Sequence, residues 1–178
     1  TDAVLTITIT GQTDKPPVVT PEDSDLAVSP GSNSVVEGTS ATVLGSVSVT
    51  AEAGIRTLTI DGIDVRNANT TPVTITKDHG TLVVTGYNAI TGVISYSYTE
   101  DGDAETHDVA GLNIFDRFVV SVTDRAGVTT SSNLDIYTLD TNPVAADDSA
   151  TAVEDGPAIT GDVLLNDAEG ADIATTVI

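Results

Sequence analysis

Alternation at period two is the feature that most limits what this chain can fold into. Residues 4–10, Val-Leu-Thr-Ile-Thr-Ile-Thr, send Leu5, Ile7 and Ile9 one way and the threonines the other. That period belongs to a half-buried strand. The same signature recurs along the chain. Thr42–Thr50 places Val43, Val47 and Val49 on one face, Gly92–Thr99 places Ile94, Tyr96 and Tyr98, and Arg117–Thr123 places Phe118, Val120 and Val122. Ile55–Ile60 and Ile63–Val65 flank Asp61-Gly62, a two-residue hairpin signal. Leu26–Val28 with Val35–Val36 reads as a broken first strand. Pro72–Thr76 and Thr81–Thr85 follow, the second closed by Gly86, and after the tight turn Asp124–Gly127 the last strand runs Val128–Leu139 with Leu134 and Ile136 inward. No stretch keeps a 3.6-residue period. Many short strands between turn residues predict an all-β chain built as an Ig-like β-sandwich.

Charge narrows the function. Of 178 residues, 27 are acidic and only 6 basic, a formal net charge of −21. Phosphate binding needs clustered Lys and Arg, so nucleic acid and anionic membranes are poor partners, and cations are favoured. High charge with few aromatics can mark disorder, but 39% of residues are hydrophobic and they alternate. Cys is absent, so no disulfide staples the fold. No apolar run is long enough to span a bilayer as a helix. The chain begins without Met and stops on Ile178 without a closing motif, which reads as a piece of a longer protein.

The beginning of the chain returns near its end. Leu5 to Val18 resembles Leu134 to Val144, with Pro17 matching Pro143 and Asp23-Ser24 matching Asp148-Ser149, an offset of about 126 residues. Internal repetition implies a tandem array: 1–13 as the last strand and exit of one repeat, 14–141 as a complete domain, and 142–178 as the start of the next. A segment as short as 142–178 buries too little surface to fold alone.

Between the strands at 92–99 and 117–123 lie Glu100, Asp101, Asp103, Glu105, Asp108 and Asp116. So many carboxylates repel one another unless a cation sits among them. Ca²⁺ takes roughly six to eight oxygen ligands in irregular geometry, so this stretch is expected to hold structural calcium. Antiparallel topology places it beside Asp140 and Asn142 of the outgoing linker and beside Asp147 and Asp148, with Glu154 and Asp155, of the next repeat. At the other end, the Asp124 turn should face the incoming linker, with Asp14, Glu22 and Asp23. The stretch is not an EF-hand, because Gly102 comes too early and strands flank it. Zinc is disfavoured with no Cys and only His79 and His107 available, the latter expected as a hydrogen-bonded surface residue.

Residues 140–156, Asp-Thr-Asn-Pro-Val-Ala-Ala-Asp-Asp-Ser-Ala-Thr-Ala-Val-Glu-Asp-Gly, and 161–167, Gly-Asp-Val-Leu-Leu-Asn-Asp, resemble the unit junction of the Ig-like, cadherin-like extender repeats of giant bacterial adhesins. These are the RTX adhesins exported by type I secretion. Residues 80–98 and 116–124 are similar to the second half of such repeats. The resemblance implies sandwich units whose linkers are stiffened by calcium and which hold a distal ligand-binding region away from the cell. It implies a secreted, outer-membrane-anchored setting at the cell surface, neighbouring repeats of the same chain as partners, no membrane insertion, and a monomeric rod. The alternative is a recognition module that binds carbohydrate or protein through calcium. No enzymatic function is expected: carboxylate pairs could serve a glycosidase, but aromatics to stack a sugar are scarce, and no Gly-x-Ser-x-Gly elbow, Cys nucleophile or Walker-type loop is present. The sequon Asn69-Thr-Thr71 reads as a loop tip.

Overall fold

The computed structural model describes residues 15–21, 33–105, 114–168 and 170. Ten strands follow one another: β1 Val18–Pro21, β2 Ser34–Val36, β3 Thr42–Thr50, β4 Ile55–Ile60, β5 Ile63–Asp64, β6 Val73–Thr76, β7 Gly80–Asn88, β8 Val93–Glu100, β9 Ile114–Asp124 and β10 Thr129–Leu139. They form two five-stranded sheets, ordered β1-β3-β8-β7-β6 and β2-β10-β9-β4-β5. All pairings are antiparallel except β2 on β10. This is the strand order of an immunoglobulin-like sandwich, with the first strand shared between the sheets and strands added at both edges. Among the described residues no helix is long and apolar enough to cross a membrane.

The alternating residues make the core. Ile94, Tyr98, Phe118, Val120, Val122, Leu134 and Ile136 are fully buried, and Tyr96 nearly so. They meet Val47, Leu58, Ile60, Leu82 and Val84 from the facing strands. Each large aliphatic or aromatic side chain buried this way contributes about 1.5–3 kcal/mol. The hairpin at Asp61-Gly62 forms as expected: both residues have positive φ (48° and 80°). This is the backbone that a two-residue primed turn requires.

Two expectations about strands are corrected. The first strand is split, but its first half is Val18–Pro21, antiparallel to β3, while Ser34–Val36 joins the other sheet beside β10. Leu26–Val28 lies outside the described residues. Prolines on both sides of Val18-Val19 hid the strand. Pro21 is tolerated because it ends an edge strand, where its missing N–H breaks no ladder. Gly86 does not close its strand either. β7 continues to Asn88 through a register shift between Val84 and Gly86. The glycine marks a bulge rather than a stop.

The strands define two poles. Val18 lies against Thr50 in the ladder, and Asp124 against Ile55, so the chain comes in at a leading pole. Thr138 lies opposite Ile114 and Leu139 beside Val36, so it leaves at a trailing pole. An eleven-residue strand such as β10 separates them by roughly 35 Å. Residues 140–168 add nothing to the core. An isolated bridge joins Val144 to Ala168, and Val153, Val163 and Leu165 stay exposed.

Candidate functional site

At the trailing pole the acids lie closer to the core than a loop would put them. Glu100 ends β8 and Asp116 lies within β9, so both belong to strands rather than to the connection between them. Glu100 is 1% exposed. Its Oε1 accepts from the Gly38 N–H at 3.0 Å, and its Oε2 from those of Thr39 at 3.0 Å and Ser40 at 2.6 Å. Gly38 and Ser40 have positive φ (65° and 50°). Successive N–H groups in such a turn form a concave anion site, and Glu100 is the anion that fills it.

Glu37, also 1% exposed, ties two segments to this turn. Its Oε2 accepts from the Glu105 N–H at 3.0 Å, and its Oε1 from the Thr141 N–H at 2.8 Å and hydroxyl at 3.1 Å. The β8–β9 connection and the outgoing linker are thus held together by one buried carboxylate. Asp116 is 4% exposed. It accepts from the Tyr98 hydroxyl at 2.8 Å and the His79 backbone N–H at 3.3 Å. Burial pushes its carboxyl above the usual Asp range, against the opposing pull of the Tyr98 hydrogen bond and His79. Burial, and then the bond to Asp116, also raise the Tyr98 phenol. His79 Nδ1 lies 2.5 Å from Glu105 Oε1.

Mutual repulsion is therefore relieved largely by protein donors. The buried carboxylates Glu37, Glu100 and Asp116 each hold two or more hydrogen bonds. Asp101 and Asp103 remain at the exposed rim, with Asp101 Oδ1 accepting from the Asp103 N–H at 3.0 Å. Asp140 and Asn142 are exposed on the outgoing linker, and Asp147 and Asp148 on the segment beyond it. The Asp147 carbonyl accepts from Asn166 Nδ2 at 3.2 Å. Among the described residues, no three His, Asp or Glu side chains come together as a group that could hold a metal ion.

The leading pole differs. Asp124 is fully buried. Its Oδ1 accepts from the Val128 N–H at 2.8 Å, which closes the turn, while its buried Oδ2 has no hydrogen-bond partner among the described residues. A buried acceptor left unpaired costs about 1–3 kcal/mol, more when charged. A water molecule or a cation would satisfy it. The other expected ligands, Asp14 and Asp23, lie outside the described residues, as do Glu22, His107 and Asp108.

Sequence reading missed Glu37 and His79. Glu37 had a signal, as the acid joining an apolar pair to a Gly-Thr-Ser turn. His79 had none, because its backbone N–H meets Asp116 and its ring meets Glu105 only through segments brought from elsewhere in the chain. Asn69 lies exposed in the turn between β5 and β6, and its side chain donates to the Tyr87 carbonyl at 2.5 Å and accepts from the Tyr87 N–H at 2.8 Å. Comparison with family models, curated proteins and solved structures gives no match.

Proposed function

We propose that the chain is a calcium-rigidified spacer domain of a large bacterial cell-surface adhesin, one unit of a tandem array that projects a distal ligand-binding region. The reading rests on the resemblance of residues 140–167 to an extender junction and on the repeat between the two linkers. The fold supports it mechanically. The chain comes in at one pole and leaves at the other, so units joined end to end extend by the full strand length.

The calcium half is carried by one observation, the unpaired buried Oδ2 of Asp124. Asp124 would hold the ion where the incoming linker meets the sandwich, and the ion would supply the positive charge that no donor among the described residues provides. The rim acids Asp101, Asp103, Asp140, Asp147 and Asp148 add weaker, screened attraction for cations at the other pole.

A metal bound only to the native state raises its stability. Calcium is therefore expected to raise the melting temperature of the full chain, and chelator to lower it. Asp124→Asn is expected to remove most of that response. A melting temperature indifferent to calcium and chelator overturns the calcium claim. Small-angle scattering of a polypeptide carrying two or more repeats is expected to show an extended rod that becomes flexible on chelation.

The recognition-module reading has less support. Tyr96 and Tyr98, which precede the acidic stretch, are buried in the core, and Phe115 beside Asp116 is 37% exposed but packs against the Tyr137 ring.

A further inference from the structure

The leading pole carries a cleft of about 970 Å³ whose lining includes Arg66, Arg125, Ile55, Asn69, Tyr87 and Ile90 and, among the described residues, no Asp or Glu. In a chain with 27 acidic and 6 basic residues, a cleft lined by two arginines stands apart from the rest of the surface. Arg66 is already committed, with Nε 3.0 Å from Asp64 Oδ1 and Nη2 2.5 Å from Oδ2. Arg125 stands exposed on the β9–β10 turn, its backbone N–H bonded to the Gly54 carbonyl at 2.9 Å. Among the described residues no carboxylate pairs with its guanidinium. Ile90, which lines the same cleft, is 97% exposed. A cation and an apolar tip are thus presented together at the mouth of a cleft.

The opposite pole presents the complement. Asp101 and Asp103 are exposed at the trailing rim, held by the Asp103 N–H to Asp101 bond and by the Gly38 N–H to Asp103 carbonyl bond at 3.2 Å. The two surfaces lie at opposite ends of the same sandwich, so no molecule can bring its own together. We propose that the leading-pole cleft is the docking socket for the acidic trailing rim of another copy of this unit. Arg125 receives the Asp101–Asp103 edge, and Ile90 is covered as the poles close. This rests on the tandem reading and deepens it by naming the contact between neighbours. A contact of this kind is heterologous: each copy uses one surface at each end, so copies join head to tail into open chains.

The full 178-residue chain can test this in trans by sedimentation velocity, in chelator and in about 0.15 M salt, where a Debye length of about 8 Å screens the overall repulsion but not a direct contact. The chain is expected to self-associate with concentration and to dissociate in about 1 M salt. Arg125→Glu and Asp103→Lys are each expected to weaken association at least about tenfold, since like charges then meet in the contact. Mixing the two variants is expected to restore association, because the unaltered rim of the Arg125→Glu chain meets the unaltered socket of the Asp103→Lys chain and the two reversed charges meet at the other ends. The chain carrying both changes regains self-association. Circular dichroism checks that each variant is folded.

A wild-type chain that stays monomeric to about millimolar concentration overturns the socket, as does an Arg125→Glu chain that associates like wild type. The chelator arm keeps this apart from the calcium claim, because a calcium response of the melting temperature can fail while the poles still associate, and the reverse.

Discussion

Glu100 and Asp116 stand sixteen residues apart and look in sequence like ligands of one cation, yet each has its own protein partners. Replacing Glu100 with Ala leaves the Gly38, Thr39 and Ser40 N–H groups without their acceptor. Charge-assisted bonds contribute about 1.5–3 kcal/mol each, but the three share one carboxylate. We expect Glu100→Ala to cost about 3 kcal/mol in urea unfolding, and Glu100→Gln clearly less. Equal costs would remove the charge-assisted account. Asp116 offers a pH test. Its carboxyl is raised in the folded state by burial, so the native chain binds that proton more tightly than the unfolded one. The stability this contributes is fully present below the ordinary Asp value of about 3.9 and is lost as pH rises through the raised value. Asp116→Asn carries no such proton. The stability of wild type relative to this variant should therefore improve as pH falls from about 7 to about 4, the other acids being common to both. Parallel unfolding midpoints across that range would refute the assignment. In the sequence both residues were visible only as acids; their burial depends on strands brought from elsewhere.

Strands were legible as elements because period-two alternation is a local property of the backbone. Their interruptions were less legible. Gly86 resembles any strand-ending glycine, but its role is set by Asn69, seventeen residues earlier. A Cβ on residue 86 would come within 2.7 Å of Asn69 Oδ1. That amide also makes both hydrogen bonds to Tyr87. Gly86→Ala should therefore cost about 1–3 kcal/mol through crowding. Asn69→Ala should cost about 1–2 kcal/mol through the lost hydrogen bonds. The two should not add, because with the Asn69 amide gone the new methyl has room. A double-mutant cycle measures the coupling, and strict additivity would show that the bulge is held by something else. The hydroxyl pairs Ser121–Ser131 at 2.7 Å and Thr123–Thr129 at 2.8 Å were likewise beyond sequence reading. They depend on the register between β9 and β10, which the Asp124–Gly127 turn fixes.

For the molecule as a whole, the sandwich runs from Val18 to Leu139, and the chain passes from pole to pole. Whether units are joined end to end is the tandem proposal, and both it and the calcium proposal turn on what happens at the poles. The sequence by itself determined the all-β class, the inward faces of most strands, the Asp61-Gly62 hairpin and the overall acidity, because each follows from neighbouring residues or from a sum over the chain. Only the tertiary structure decided what the acids do. It buried Glu37, Glu100 and Asp116 among donors from other elements, left Asp101 and Asp103 on the rim, and enclosed Asp124 with one oxygen unpaired among the described residues. It also placed Arg66 and Arg125 in one cleft although 58 residues separate them. Whether a carboxylate meets an N–H group, water or a cation depends on which distant segments fold against it, and a two-residue period carries no record of that.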